Sequence, residues 1–221
     1  MIDYYKKANN PQESQNSLMI ALQSAEFPME RKLYYLQSLF DQFAKTKDQT
    51  ILKQLENLFT GLVEINPYNY ETWAGLGTVH FLKENYAEAR KNFEKTLSIH
   101  FGDYYVWEYY LQTLSKTEDY TTIVDKADEI FELFPTNALF LYTLGYAFDK
   151  TGNNAEKAIN FLNQASIYAV DHNLIESIFD LLGDIYMKLD NKPEALTNWK
   201  KAIRRPAANA QKIRKKIANN E

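Results

Sequence analysis

A set of residues that returns about every 34 positions forces a chain to fold as a stack of equivalent units. Trp73, Leu76, Gly77, Ala89 and Phe93 form such a set. A shift of 34 residues meets Trp107, Tyr110, Leu111, Ile123 and Ala127. A second shift meets Leu141, Leu144 and Gly145, with Ala158 and Leu162 one residue late. A step of 38 from Gly145 reaches Gly183, flanked by Phe179, Leu182, Tyr186, Ala195 and Trp199. Pro67, Phe101 and Pro135 also recur at 34 residues. Each unit holds two apolar stripes of helical period, split by a short polar turn: KENY, KTED, KTGNN or KLDNK. Gly152 after Lys150 suits a helix C-terminus, and Pro193 suits a first helical turn. The predicted architecture is all-α, built of antiparallel helix hairpins. Seven glycines and six prolines are too few for hairpin-rich β structure.

Glycine inside a helix costs about 1 kcal/mol relative to alanine. Gly77 is therefore predicted to face Ala89 where two helix backbones come closest, and Gly145 with Ala158 and Gly183 with Ala195 repeat the arrangement. Gly75 falls outside the pattern and reads as merely tolerated.

The pattern resembles the tetratricopeptide repeat, a 34-residue helix pair with the signature Trp-x-x-Leu-Gly-x-x-Tyr, then Ala-x-x-x-Phe, then Pro. Trp73-x-x-Leu76-Gly77-x-x-His80 with Ala89-x-x-x-Phe93 follows it, as does Phe179-x-x-Leu182-Gly183-x-x-Tyr186 with Ala195-x-x-x-Trp199. The second unit departs most, with Leu111 and Ile123 at small-residue positions, and slight splaying is expected there. The resemblance implies an α-α superhelix. Its expected parts are a helical, repeat-like region at 1–66 and about four repeats within 67–206. These are approximately 70–103, 104–137, 138–173 and 174–206, followed by a basic capping helix within 207–221.

In the first region, Pro28 opens a helix with the stripe Leu33, Leu36, Leu39, Phe40 and Phe43. A second helix carries Leu52, Leu55, Leu58, Phe59, Leu62 and Ile65. A further helix is expected from Pro11 to about Glu26. MIDYYKKA aligns with Ala195–Ala202, ALTNWKKA, as the second helix of a repeat whose first helix is missing or as a short amphipathic turn. Stretches such as FPMERKLYYLQSLFDQF, LVEINPYNYETWAGLG and FELFPTNALFLYTLGYAF are similar to internal segments of long bacterial tetratricopeptide proteins of the cell envelope. That resemblance implies a fragment of a longer protein in a periplasmic or envelope setting. The cytoplasm is the alternative.

Catalytic motifs do not emerge. The absence of cysteine excludes thiolate chemistry, and neither a Gly-Lys-Ser/Thr phosphate loop nor a Gly-x-Ser-x-Gly elbow occurs. Gly75-x-Gly77-x-x-His80 lacks the third glycine of a dinucleotide fingerprint and sits inside a helix. His80, His100 and His172 are never three or four residues apart. His80, at the motif's tyrosine position, reads as packing, and the other two as loop or helix-end residues. No enzyme activity, cofactor or metal is expected.

A binding surface remains. In the tetratricopeptide family, positions 2, 5, 9 and 12 of each repeat line a concave groove. Here they are Glu71, Ala74, Thr78 and Phe81; Tyr105, Glu108, Gln112 and Ser115; Leu139, Tyr142, Tyr146 and Asp149; Ser177, Asp180, Asp184 and Met187. The candidate groove is Tyr105, Glu108, Gln112, Tyr142, Tyr146, Asp180 and Asp184. Aromatic contact area beside carboxylates suits a partner protein's peptide or helix carrying basic or aromatic side chains. The alternative is a solvated helix face with aromatics packed on neighbours. No basic residue stands at positions 5 or 9, so acidic C-terminal chaperone tails are not expected to bind.

The net charge of −4 hides an asymmetry: eight of the 25 Lys and Arg lie in 198–221, beside one of the 29 acidic residues. The basic tail caps the last repeat through Ile213 and Ile217, associates with acidic units of its own or another copy, or touches nucleic acid or anionic lipid. Nucleic acid is disfavoured, since only Trp199 accompanies the cluster and no nucleic-acid motif is present. The expected function is a non-catalytic protein–protein scaffold. Its alternative is a self-associating module of a longer repeat protein.

Overall fold

The structure, a computed structural model, describes residues 20–22, 24, 26–152, 154–204 and 209–220. The MIDYYKKA segment and most of the expected Pro11–Glu26 helix lie outside these residues. Among the described residues the regular elements are helices and there is no strand. The chain forms two compact bodies, Met1–Thr117 and Glu118–Glu221.

The N-terminal body contains α1 (Met29–Thr46), α2 (Gln49–Ile65), α3 (Tyr70–Leu82), α4 (Tyr86–Ile99) and α5 (Tyr104–Lys116). Each helix packs on the next, and α3 also meets α5. The apolar stripes of α1 and α2 close on Leu76 and Val79 of α3 in one core that includes Leu36, Leu52, Leu55, Phe59 and Leu62. The C-terminal body contains α6 (Tyr120–Asp125), α7 (Ala127–Leu133), α8 (Ala138–Thr151), α9 (Ala155–Tyr168), α10 (His172–Lys188), α11 (Lys192–Ala202) and α12 (Ala210–Ala218). There α8 pairs with α9 and α10 with α11, and α12 lies on α11. The break at Lys126 follows Thr121, Thr122, Ile123 and Val124. Four β-branched residues in succession weaken a helix, because each loses side-chain freedom against the preceding turn.

A register invisible to the apolar pattern starts α3, α5, α8 and α10. Asn69, Asp103, Asn137 and Asp171 stand 34 residues apart, and each side chain accepts backbone N–H groups of the helix it opens. The bonds run from Thr72 at 2.8 Å, Tyr105 at 2.9 Å, Phe140 at 3.1 Å and Leu174 at 2.9 Å. Each cap satisfies an otherwise orphaned donor and contributes about 1 kcal/mol. This ladder keeps the 34-residue step where the glycines jump by 38, because α10 has 17 residues where α8 has 14. The extra length lies between the cap and Gly183.

Tryptophans carry a second register. The Trp73 indole N–H donates to the Pro67 carbonyl at 2.9 Å, and Trp107 repeats this to Phe101 at 2.6 Å. The residue that ends one repeat thus anchors the first helix of the next.

The helix glycines are sites of close approach, but the nearest atoms differ from the expected alanines. A Cβ on Gly77 would lie 2.7 Å from the Phe93 ring, and one on Gly183 would lie 2.3 Å from Trp199. At Gly145 it would lie 2.6 Å from Leu162 and 3.1 Å from the Ala158 carbonyl. Ala89, Ala158 and Ala195 are fully buried, yet the space each glycine leaves is filled mainly by the large residue one turn further on. The reading of Gly75 as merely tolerated is corrected: a Cβ there would lie 2.2 Å from Phe59 of α2. Gly75 admits a ring from the preceding hairpin, just as Gly77 admits one from its own.

The turns end in left-handed residues. Gly152 has φ 66°, as its place after Lys150 suggested, but Glu84 (φ 59°) and Asp190 (φ 56°) adopt the same conformation without being glycine. After them, the N–H groups of Asn85 and Asn191 return to the carbonyls of His80 and Tyr186, each at 2.9 Å. Glu84→Gly keeps this closure and removes the Cβ penalty. It is expected to raise stability by about 0.5–1 kcal/mol in chemical denaturation.

Candidate interaction surfaces

In the N-terminal body, α1, α3 and α5 enclose a solvent-open groove of about 710 Å³. Its apolar floor includes Leu33, Leu36, Phe40, Phe59, Ala74 and Tyr109, and Asp41, Glu71 and Lys47 stand among its polar residues. Glu71, Ala74 and Thr78, expected to face a groove, line it. So does Tyr105, 70% exposed, with its ring edge-on to Tyr104 at 5.2 Å. Glu108 is half-buried and Gln112 exposed, and neither is among the lining residues. The groove has a wall that the motif positions did not name. Tyr109 packs edge-on to Phe81 at 5.2 Å and stacks on Phe93 at 6.1 Å. The sequence signal for Phe59 in the floor was Gly75, whose missing side chain admits that ring.

In the C-terminal body, Tyr142 and Tyr146 lie one turn apart on α8, with ring centroids 6.1 Å apart. Burial pushes the Tyr142 hydroxyl up to about 12, with the nearby Tyr146 and Asp180 adding to the shift. Tyr142 therefore remains a neutral phenol at physiological pH. Tyr146 stands 5.6 Å from the Tyr120 ring and carries Lys150 Nζ 5.2 Å above its own. Tyr142 and Tyr146, with Glu176, Asp180 and Asp184, border a polar cavity of about 340 Å³ that Asn209 and Lys212 help close.

Asp180 and Asp184 are not open carboxylates. Lys216 Nζ of α12 donates to Asp180 Oδ1 at 2.6 Å and to both Asp184 oxygens at 2.6 and 2.8 Å. Burial opposes the Lys216 charge, but the bonds to the two carboxylates outweigh it and raise its affinity for the proton. Burial also raises Asp180 above the ordinary carboxylate range, against the opposing pull of Lys216. Asp184 further accepts the Trp199 indole N–H at 3.0 Å. Ile213 and Ile217 are buried against Ala195, Trp199 and Ala202. α12 thus both packs on α11 and pairs Lys216 with the acidic residues of α10.

His80 on α3 is mostly buried, with Nδ1 3.7 Å from Glu56 and without a hydrogen-bond partner. Burial holds its pKa below the ordinary value, although Glu56 pulls the other way. With the folded value depressed, the unfolded chain takes up the proton first as pH falls, so this contribution is present above about pH 6.5 and lost below it. His80→Phe is expected to flatten the fall in stability between pH 7 and pH 5, read from denaturant midpoints. His100 caps the end of α4 and stacks on Tyr70 at 4.3 Å, and His172 opens α10. Among the described residues no group of three or more His, Cys, Asp or Glu is placed to hold a metal ion, and no helix is long and apolar enough to cross a membrane.

No protein-family profile and no curated protein sequence matches the chain. Solved structures do. MamA from Desulfovibrio magneticus RS-1 (residues 41 to the end) is similar with TM-score 0.63 at 17% identity, over 76% of this chain and 93% of that one. YrrB, described as a TPR protein with an unusual peptide-binding site, is similar with TM-score 0.62 at 18% identity, over 76% and 92%. TTC0263, a TPR protein of Thermus thermophilus, gives TM-score 0.52 at 15% identity, over 84% and 98%. With its paired helices, glycine contacts and recurring caps, the chain has the fold of the tetratricopeptide-repeat solenoids.

Proposed function

We propose that the protein is a non-catalytic scaffold that binds a peptide or helix of another protein on the faces of its first helices. The apolar groove bounded by α1, α3 and α5 carries this reading. Its volume and aromatic walls suit apolar side chains at helical spacing, and Asp41 and Glu71 favour basic residues beside them. Tyr105, Glu108 and Gln112 present α5 to such a partner, while Tyr142, Tyr146, Asp180 and Asp184 form the corresponding face of the C-terminal body. The peptide-binding site of the structurally similar YrrB supports the same use of the fold. We place the protein in the bacterial periplasm or cell envelope, the setting that its resemblance to long envelope repeat proteins implies. Its organisation is read as repeats near 70–103, 104–137, 138–173 and 174–206 after a helical 1–66 region, with 207–221 as the cap.

Selection of a displayed library of 16-residue amphipathic helices on the immobilised chain tests the reading. Enriched binders are expected to carry Lys or Arg beside apolar anchors and to weaken at least tenfold on Tyr105→Ala or Ala74→Trp. Ile167→Ala, at an exposed position of α9, is expected to leave them unchanged. Binders indifferent to both groove substitutions would refute it, as would micromolar calorimetric binding of a peptide ending in an acidic tail.

A further inference from the structure

The C-terminal body already holds one helix on its acidic face, and that helix states what the face recognises. α12 has nine residues, fewer than the roughly 12–15 an isolated helix needs to be even marginal in water. Its helicity therefore depends on docking. Two contacts drive the docking. Ile213 and Ile217, one turn apart, bury against Trp199 and Ala202. Between them Lys216 reaches Asp180 and Asp184, with Nζ 5.8 Å over the Trp199 ring. At the start of the helix the Asn209 N–H donates to Glu176 Oε1 at 2.8 Å. Glu176 is 2% exposed, and its Oε2 is buried without a hydrogen-bond partner. The receiving side thus combines an apolar slot, a two-carboxylate clamp for one ammonium group, and a buried carboxylate with an unused acceptor at the helix entry.

We infer that this face of α10 and α11 is a receptor for a basic amphipathic helix of the pattern apolar-x-x-Lys-apolar, that α12 is its resident occupant, and that a partner protein's helix of the same pattern displaces it. The inference rests on the scaffold reading and names the partner's chemistry at the second face. Glu176 Oε2 gives an incoming helix an acceptor that α12 leaves unused, since an N–H donor from the partner's first turn or a basic side chain fits there. A tethered occupant competes at an effective concentration near the millimolar range. The intact protein therefore binds such a helix weakly, and undocking α12 uncovers the site. The exchange is salt-sensitive, because the clamp is an ion pair that remains partly open to water.

The test uses the full chain and a fluorescein-labelled peptide of residues 209–220, NAQKIRKKIANN, followed by fluorescence anisotropy at low salt. Ile213→Asp with Ile217→Asp opens the face, and Lys216→Glu opens it more gently. Should the double variant lose its thermal transition, Lys216→Glu serves as the opened protein. Either opened protein is expected to bind at least tenfold more tightly than the unaltered chain. Adding Asp180→Asn and Asp184→Asn is expected to remove that gain, and a scrambled peptide of equal charge is expected to bind no better to the opened protein than to the unaltered one. Failure of the opened proteins to bind would overturn the inference. Equal binding by the unaltered chain would do so too, as would binding indifferent to Asp180 and Asp184 or to the peptide's order. Every protein in this assay also carries Ala74→Trp, which fills the N-terminal groove, so the peptide reports on the C-terminal face alone and the outcome is separable from that of the library selection.

Discussion

Replacing Trp107 with alanine is expected to lower the unfolding free energy by about 3–5 kcal/mol. The indole is fully buried, packs edge-on to Tyr110 at 5.9 Å and donates to the Phe101 carbonyl at 2.6 Å. Truncation loses the transfer free energy of the ring and leaves a cavity that rigid neighbouring helices close only in part. It also removes the bond that ties the start of α5 to the end of the preceding repeat. Trp73 provides an internal control. It makes the equivalent bond to Pro67 but is only half-buried, so Trp73→Ala is expected to cost distinctly less. Urea denaturation of both variants, compared at unchanged slope, reads the difference. Equal losses would show that the shared hydrogen bond, rather than burial of the ring, sets the energy.

Gly183→Ala carries the second large effect, and its sign runs against helix propensity. In an exposed helix the change would stabilise by about 1 kcal/mol. Here the new Cβ would stand 2.3 Å from Trp199 Cδ1 and 2.4 Å from its Nε1. The ring has little freedom to yield, since its N–H is bonded to Asp184 and Lys216 lies over its face. Overpacking of this kind costs about 1–3 kcal/mol, so a net loss is expected, with a lower thermal midpoint. α12 is expected to loosen with it, because Ile213 and Ile217 rest on the same ring. In a Trp199→Leu background the collision is gone, and Gly183→Ala becomes neutral or favourable. The double-mutant cycle therefore gives a coupling of opposite sign to the single substitution. A Gly183→Ala protein that melts above the unaltered one would end the packing account of the helix glycines.

The fold was legible because its information is local and repeated. Helices follow from apolar residues at spacings of three and four, and their pairing follows from short polar turns and recurring small residues. Gly152 and Pro193 were readable singly, since each meets a backbone requirement that few residue types satisfy, and Gly145 and Gly183 were readable as sites of close approach from their recurrence. The Asn69, Asp103, Asn137 and Asp171 ladder was equally open to reading and has the stricter period. It was hidden because a search on apolar residues ignores the polar one that begins each stripe. Gly75 failed for a different reason. Phe59, which fills its space, belongs to a helix outside the repeat pattern, so no spacing within the motif could point to it.

The candidate surfaces divide the same way. Helical period placed Tyr142 beside Tyr146 and Asp180 beside Asp184, and nothing beyond the 3.6-residue turn was needed. Whether those carboxylates stand open was decided by Lys216, 36 residues beyond Asp180 and 32 beyond Asp184. Phe59, Ala74 and Tyr109 likewise come from three different helices to make one groove. The sequence alone determined the helices, their order and the small residues that let them nest, because these depend on neighbours within about one turn or one repeat. Tertiary structure decided which ring fills each glycine's space and which acidic groups are already paired, because both depend on side chains that meet only after the hairpins have stacked.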